Sequence, residues 1–204
     1  AEEATDYADV FANACNNSAL DVNSLANSMS IAAPIFKTSG QDVQDAALAM
    51  GVMANAGTDA GVAANALKTG IARLASPAKQ GKAWMEKLGI SAFDAEGNLK
   101  EMTDLQSELS SAFSTLSSKE KEAAAAAIFG KNQMAPWLSL IGTAPADVQE
   151  LADKLKETGT SSQMADDMMS GFGGSLEKIK SSVDVLVTTI GEKLAPYISK
   201  AADK

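Results

Sequence analysis

Histidine is absent from this chain of 204 residues, and its absence removes the commonest general base and the commonest metal ligand of proteins. A Ser-His-Asp triad, a Cys-His pair and the zincin motif are therefore excluded. A Gly-rich loop ending in Gly-Lys-Ser or Gly-Lys-Thr is also absent, which excludes a P-loop. The single cysteine, Cys15, excludes an internal disulfide and a cysteine-rich metal site, and it fits a reducing compartment. We expect neither a cofactor nor a metal.

Long apolar runs are missing as well. The most apolar stretch near the C-terminus, residues 183–190, contains Asp184 and is far shorter than the ~20 apolar residues that a membrane-spanning helix needs. The first residues are acidic and lack the basic and apolar parts of a secretory signal. They also lack an initiator Met, which favours the interpretation that the chain is an internal piece of a longer protein. We expect no membrane span and no signal peptide in this piece.

Basic residues are outnumbered, since 17 Lys and Arg face 26 Asp and Glu and give a net charge of −9. A surface of this sign repels phosphate backbones, so we expect no direct nucleic-acid binding. Aromatic residues are scarce at 5% of the chain, although 46% of the residues are hydrophobic. Because much of that share is alanine, the expected core consists of thin helices that pack closely.

Apolar residues recur every three to four positions through most of the chain, and the alternation typical of strands is nearly absent. This periodicity predicts an all-α fold. We expect a compact multi-helix domain of short antiparallel helices over residues 1–160. A long amphipathic exit helix is expected to follow in residues 161–204.

A single stretch, residues 89–103, interrupts the helical pattern. Asp94, Gly97 and Asn98 supply turn chemistry between apolar residues on either side. This arrangement favours a small β-hairpin near residues 90–99.

Residues that cap helices mark the predicted starts and ends. Asp21 precedes the first clear amphipathic stretch, and Ser76 followed by Pro77 has the order of an N-cap and a first helical residue. Gly57 and Gly89 are expected to end helices. Further starts are predicted at Thr58, at Pro145 and at three capping-box pairs: Ser39 with Asp42, Thr103 with Gln106, and Ser117 with Glu120.

The exit helix has an apolar stripe that alternates spacings of four and three residues, typical of a short coiled-coil seam. One interpretation is that this stripe is a self-association seam. The other is that the helix packs its apolar face on its own domain. The stripe consists of Phe172, Leu176, Ile179, Val183, Leu186 and Ile190.

Two patterns suggest other kinds of function. Ser-x-x-Lys, the spacing of serine acylases, occurs three times, but each serine is near a predicted helix start and the companion motifs are absent. We therefore predict that the chain is not an enzyme. A methionine-rich surface would instead suit a helical adaptor or scaffold module that binds a partner helix. The serine pairs are Ser76–Lys79, Ser118–Lys121 and Ser175–Lys178, and the methionines are Met50, Met53, Met164, Met168 and Met169.

Four short segments follow one another in a distinctive order. The first places glycine and alanine before a helix that ends in Leu-x-x-Pro, and the second joins Leu-Gly-Ile to Asp-x-x-Gly. The third is Ile-Phe-Gly, and the fourth is Ile-Gly-x-x-Leu-x-Pro. Their residues are Gly57, Ala60, Gly61, Ala64, Leu67, Leu74 and Pro77, then Leu88, Gly89, Ile90, Asp94 and Gly97, then Ile128, Phe129 and Gly130, and last Ile190, Gly191, Leu194 and Pro196.

In this order the four segments, called the landmark segments below, resemble the region shared by the phage tail tape measure protein family. The resemblance extends from about residue 39 to about residue 198. It implies a structural virion protein of a phage or prophage that sets tail length and templates assembly of the tail tube. It assigns no catalytic residues to this region.

The resemblance also implies partners and places. Members of the family bind the tail tube protein, tail assembly chaperones and tail tip proteins. They are made in the bacterial host cytoplasm and occupy the lumen of the tail tube in the virion. For this chain we expect a compact helical domain whose helix from Ser175 onward leads into the rod of the longer parent protein.

Overall fold

A computed structural model describes residues 2–171 of the chain, with side chains from residue 6 to residue 165. Ten α-helices make up this part, and the all-α fold is confirmed. Their bounds are α1 Glu2–Asn17, α2 Val22–Thr38, α3 Val43–Asn55, α4 Ala60–Ala75, α5 Lys79–Leu88, α6 Met102–Ser114, α7 Ser118–Ile128, α8 Met134–Gly142, α9 Pro145–Leu155 and α10 Thr160–Gly171.

The core is centred on α3, which is buried along most of its length and contacts α1, α2, α4, α8 and α9. Helix α4 packs on α2 and α8, and its predicted inward stripe is buried. Alanine and glycine dominate these contact faces, which lets helix axes approach closely. The buried stripe of α4 consists of Ala60, Ala64, Leu67, Ile71 and Leu74.

The peripheral helices pack in two groups. Helix α5 packs mainly on α7, while α1 packs on α9 and α10 in addition to α3. Among the described residues, no helix is long and apolar enough to cross a membrane.

The predicted hairpin near residues 90–99 is reduced to a single antiparallel bridge between Phe93 and Leu99. The structure gives no named strand in the part of the chain that it describes. Two backbone hydrogen bonds flank this bridge, from the N–H of Asp94 to the carbonyl oxygen of Asn98, at 2.8 Å, and from the N–H of Lys100 to that of Ala92, at 3.0 Å. The N–H of Leu99 points away from Phe93 and donates to the carbonyl oxygen of Ser39, at 2.7 Å, in the turn between α2 and α3. The second arm of the hairpin is therefore bonded to the helical domain.

Several predicted caps are confirmed. The Asp21 side chain accepts from the backbone N–H groups of Asn23 and Ser24, and Ser117 with Glu120 forms the predicted capping box. Gly89 ends α5 in a left-handed conformation, and Pro145 is the first residue of α9.

Four predicted N-caps are wrong, each by one to three positions. At two of them an aspartate nearby accepts two backbone N–H groups instead, so Asp42 caps α3 in place of Ser39, and Asp59 caps α4 in place of Thr58. A carboxylate is the stronger acceptor for these donors.

The other two errors have different causes. Ser76 is the C-cap of α4, and α5 begins only at Lys79, so Pro77 is not its first residue. Helix α6 begins at Met102, before Thr103, and Gln106 is fully buried, where its side-chain N–H donates to the carbonyl oxygens of Leu140 and Thr143.

Candidate functional site

The landmark segments within the described residues lie at turns and at one buried junction. Gly57, Gly89, Gly97 and Gly130 all have the left-handed backbone conformation that favours glycine. Leu74, Ile128 and Phe129 are buried in the core. Of the rest, Gly61 is in the first turn of α4, Pro77 and Asp94 are in turns, and Leu88 ends α5.

The fourth landmark segment lies outside the described residues, as does the predicted self-association seam. These residues are Ile190, Gly191, Leu194 and Pro196 of the segment, and Leu176, Ile179, Val183 and Leu186 of the seam.

The buried junction is built around Trp137 of α8, which has no exposed surface. Its ring stacks on Phe129 with centroids 4.1 Å apart and planes inclined by 3°. Its indole N–H donates to the carbonyl oxygen of Ala66 in α4, at 2.9 Å. The absence of a side chain at Gly70 makes room for the indole, because a Cβ built there would lie 2.2 Å from Trp137 Nε1. The third landmark segment thus joins α4, α7 and α8.

Gly130 has a second role beside this junction. Its φ of +98° is left-handed, and a Cβ built on it would lie 2.3 Å from Nη1 of Arg73. Any side chain at this position would displace the guanidinium of the chain's single arginine. Gly130 therefore leaves room for the positive charge of Arg73 at the end of α4.

The second landmark segment forms a loop that docks on the turn between α2 and α3. Asp94 closes the loop, because its Oδ1 accepts from the backbone N–H groups of Glu96 and Asn98. The side-chain amide of Gln41 donates to the carbonyl oxygen of Leu99. The loop is thus attached to this turn through both backbone polar groups of Leu99.

Asp45 of α3 connects this loop to α6. Its Oδ1 accepts from the backbone N–H of Met102, at 2.8 Å, and so takes up a free donor at the start of α6. Burial raises the pKa of Asp45 from 3.8 to about 6, and the neighbouring charges of Asp42 and Glu101 act in the same direction. The hydrogen bond from Met102 and the charge of Lys156 oppose the rise.

The start of α10 is held by two side chains of α1, which we call the exit clamp. Asp9 is 4% exposed and accepts from the backbone N–H groups of Gly159, at 2.7 Å, and Ser161, at 2.8 Å. The Ser161 hydroxyl donates to the same carboxylate, at 2.6 Å. One turn further along α1, the Asn13 side-chain amide donates to the carbonyl oxygen of Glu157, at 2.7 Å. Residues 157–161 are therefore fixed on α1.

The electrostatics of the exit clamp agree with its geometry. Burial opposes ionisation of Asp9, but the hydrogen bonds from Ser161 and Gly159 outweigh it and hold the pKa of Asp9 below its usual value. The carboxylate acts as an N-cap from a distant helix, with the preference for negative charge that a helix N-terminus has.

The sequence reasoning missed the exit clamp, Asp45 and the Gly70–Trp137 contact. The spacing of Asp9 and Asn13, two short polar residues four apart on an otherwise apolar helix face, is the one signal that could have marked the clamp. The contacts of Asp45 and Trp137 join residues that are 57 and 71 positions apart. No local pattern predicts such pairs.

The adaptor hypothesis required an exposed methionine patch, and this expectation is wrong. Met50 and Met53 are fully buried in α3. Met164 is half-buried, and the side chains of Met168 and Met169 lie outside the described residues. Two of the five methionines therefore serve the core.

The serine and lysine pairs lie where ordinary helix geometry explains them. Ser76 is the C-cap of α4, and Ser118 is the first residue of α7. Ser175 and Lys178 fall outside the described residues. Cys15 is half-buried, and burial raises the pKa of its thiol to about 11. The thiol is thus protonated at neutral pH.

Comparison with known proteins gives one family and two curated relatives. Residues 1–130 match the family described as phage-related minor tail protein. The chain is similar to the tape measure protein of Pneumococcus phage Dp-1, with 25% identity over 201 residues that cover 98% of this chain and 18% of that protein. It is also similar to the probable tape measure protein of Escherichia phage P2, with 23% identity over 189 residues that cover 89% of this chain and 23% of that protein.

The chain therefore spans about a fifth of the length of these two relatives. No solved structure matches it.

Proposed function

The chain belongs to the family of phage-related minor tail proteins, and from this premise we propose that it is a folded helical domain of a tail tape measure protein. The observation that supports the proposal most is the match of nearly the whole chain to two proteins named as tape measure proteins. We further propose that the domain does structural work in the virion and catalyses no reaction. The burial of the apolar landmark residues Leu74, Ile128 and Phe129 in the core supports a structural role.

The fold supports the proposal that this part of a tape measure protein is not the extended part that measures tail length. A single straight helix of 170 residues would be ~255 Å long at ~1.5 Å per residue. The described helices instead pack on one another, and α3 contacts both α1 and α4. In our proposal residues 1–160 are a compact domain, and residues 161–204 are an exit helix that leads toward an extended rod.

The exit clamp supports the proposed division between the compact domain and the exit helix. Asp9 and Asn13 hold residues 157–161 against α1, and α10 packs on the same helix. The direction in which the chain leaves the domain is therefore set by buried hydrogen bonds. In the proposed role, this fixed direction joins the domain to the rod at a constant angle.

The partners that we propose for the parent protein are taken from the family, and they are not inferred from a site on the domain. We propose that the parent protein binds tail assembly chaperones in the host cytoplasm, templates the tail tube protein and contacts tail tip proteins. In the virion it would lie in the lumen of the tail tube. Self-association through the apolar seam of residues 172–190 is part of the same proposal.

The test is an in-frame deletion of residues 43–155 from the gene that encodes this chain, followed by electron microscopy of the tails. We expect either no assembled tails or tails of unchanged length, because a compact domain adds little to the length of the rod. Tails shortened by about 170 Å, the length of 113 residues in a straight helix, would overturn the proposal.

A scattering measurement on the full 204-residue chain gives a second reading. A compact domain of residues 1–160 has a radius of gyration of about 15 Å, and the exit helix raises this value by several ångströms. A thin rod about 300 Å long would contradict the compact domain. The deletion of residues 43–155 also needs a control. An in-frame deletion of equal length from an uninterrupted helical segment of the same reading frame should shorten the tails.

A further inference from the structure

Positive charge is concentrated on one side of the domain. Residues 60–88 and 117–133, which contain α4, α5 and α7, carry eight basic and three acidic side chains. The rest of the described chain carries four basic and nineteen acidic side chains. We call the first group the cationic face, and its basic residues are Lys68, Arg73, Lys79, Lys82, Lys87, Lys119, Lys121 and Lys131.

Five basic residues of the cationic face are on α5 and α7, and these two helices lie side by side in opposite directions. A Cβ built on Gly81, near the start of α5, would lie 2.8 Å from the carbonyl oxygen of Ala127, near the end of α7. At the other end, Lys87 of α5 is 3.9 Å from Glu120 of α7. Arg73, held against Gly130, adds its charge where α7 ends.

Helix α5 leaves an open side on this face. Gly81 is its one buried residue, while Trp84, Met85 and Leu88 are half-buried. The Lys87 ammonium lies 4.5 Å from the centre of the Trp84 ring. An aromatic and apolar centre with a charged rim has the composition of a protein interface.

The complementary charge is present on the opposite group of helices. Asp147, Glu150 and Asp153 are exposed on α9, and Glu157 follows them. Asp147, Glu150 and Asp153 are spaced three residues apart and therefore lie on one outward side of the helix, whereas Glu157 lies just beyond the end of α9. Lys154 pairs with Glu150 at 2.9 Å, so part of this negative charge is already compensated. Helix α9 packs on α1, α3 and α6, away from the α5–α7 pair. We call these four carboxylates the α9 acidic stripe.

We propose that the cationic face of one copy of this chain binds the α9 acidic stripe of a second copy. The contact is head-to-tail, because the two surfaces differ. A protein partner is favoured over a nucleic acid, since Glu86, Glu120 and Glu122 interrupt the cationic face and the remainder of the domain repels phosphate. This inference does not depend on the proposed role in the tail.

Charge, and not apolar area, supplies the attraction. Val62 is the one large hydrophobic side chain counted as exposed among residues 6–165. Electrostatic contacts of this kind form quickly and weaken as salt rises. The apolar seam of residues 172–190 predicts the opposite salt dependence, because burial of apolar surface is not screened.

The experiment measures the mass of the full chain by sedimentation at low and at high salt. One variant reverses the cationic face with Lys79→Glu and Lys119→Glu, and the other reverses the stripe with Asp153→Lys and Glu157→Lys. All four residues are exposed. We expect the wild type to self-associate at low salt and each variant alone to lose about tenfold or more in affinity.

The mixture of the two variants is the decisive sample. Each variant retains the surface that the other needs, and the two reversed surfaces are complementary as well, so the mixture should recover association. A control variant, Glu96→Lys with Asp104→Lys, makes the same change in net charge as the stripe variant but at exposed residues outside both surfaces. It should associate like the wild type.

Three results would overturn the proposal. One is a wild-type chain that remains monomeric at low salt, and another is association that neither salt nor either variant weakens. The third is a mixture that stays monomeric. Binding of a fluorescent DNA duplex that Lys79→Glu with Lys119→Glu abolishes, without any self-association, would assign the cationic face to a nucleic acid instead.

Discussion

The junction around Trp137 and the exit clamp are both tight contacts between helices, yet they are stabilised in different ways. At the junction, Gly70 has no side chain and the Trp137 ring fills the space. At the clamp, the Asp9 carboxylate accepts three hydrogen bonds from residues 159–161. The first contact depends on shape and the second on polar geometry. The comparison indicates that the domain centre unfolds as a unit, whereas its exit can detach locally.

Adding one methyl group at the junction should have the largest effect. Gly70→Ala would place a Cβ against the indole of Trp137 and displace the N–H that donates to Ala66. We expect a loss of about 3 kcal/mol in the free energy of unfolding, measured with urea, because overpacking and a broken hydrogen bond add. The matched control is Gly142→Ala at the end of α8, where a Cβ would meet open space. Equal stabilities of the two variants would show that the junction is not close-packed.

Removing the carboxylate of the clamp should have a smaller and more local effect. Asp9→Ala leaves two backbone N–H groups without their acceptor, which costs about 2 kcal/mol. Hydrogen exchange should show lost protection for residues 159–165 and retained protection in α4. Asp6→Ala, at an exposed position of α1, is the control. Equal loss of protection in α4 and α10 would contradict local detachment.

The pH dependence of Asp9 follows from its lowered pKa. Its stabilising effect is fully present above the ordinary value of 3.8 and is lost as the pH falls through the lower pKa of the folded state. The difference between the wild type and Asp9→Ala should therefore shrink only in strong acid.

Neutralising the side chain of Asp45 should change the free energy of unfolding least, and it should stabilise the domain, whereas the two other variants destabilise it. Because its pKa is raised to about 6, the folded state binds this proton more tightly, and stability falls as the pH rises from 3.8 to about 6. Asp45→Asn keeps an oxygen that can accept from Met102 and removes the buried charge. We expect a gain of about 1 kcal/mol near neutral pH that disappears in acid, measured by thermal unfolding. A loss at neutral pH would mean that the charge itself strengthens the bond to Met102.

The fold class could be predicted from the sequence because helical periodicity is a local property. The stripe of α4 is buried as predicted, and the Ser117–Glu120 capping box forms within four consecutive residues. Two of the four errors in the N-caps occurred where a nearby aspartate could cap the same helix, as at Thr58 and Asp59. There the carboxylate accepts the free N–H groups, and the hydroxyl does not.

The candidate site was less predictable than the fold. The order of the landmark segments indicated the family, but their spacing did not show that Phe129 stacks on Trp137 or that Gly130 leaves room for Arg73. The β-hairpin could be predicted only in part. The turn chemistry of Asp94 was correct, and one bridge joins the two arms. The hydrogen bond from Leu99 to Ser39, about sixty residues earlier in the chain, could not be predicted from a local pattern.

The sequence by itself determined that this part of the chain is helical and where several of its helices begin or end, through apolar period, caps and left-handed glycines, because each of these acts within one or two turns of chain. Tertiary structure alone decided which small residues face large ones, which carboxylates become buried and where α10 begins. Those outcomes depend on contacts such as Gly70 with Trp137 and Asp9 with Ser161. Residues so far apart in the chain come into contact only when the whole domain folds.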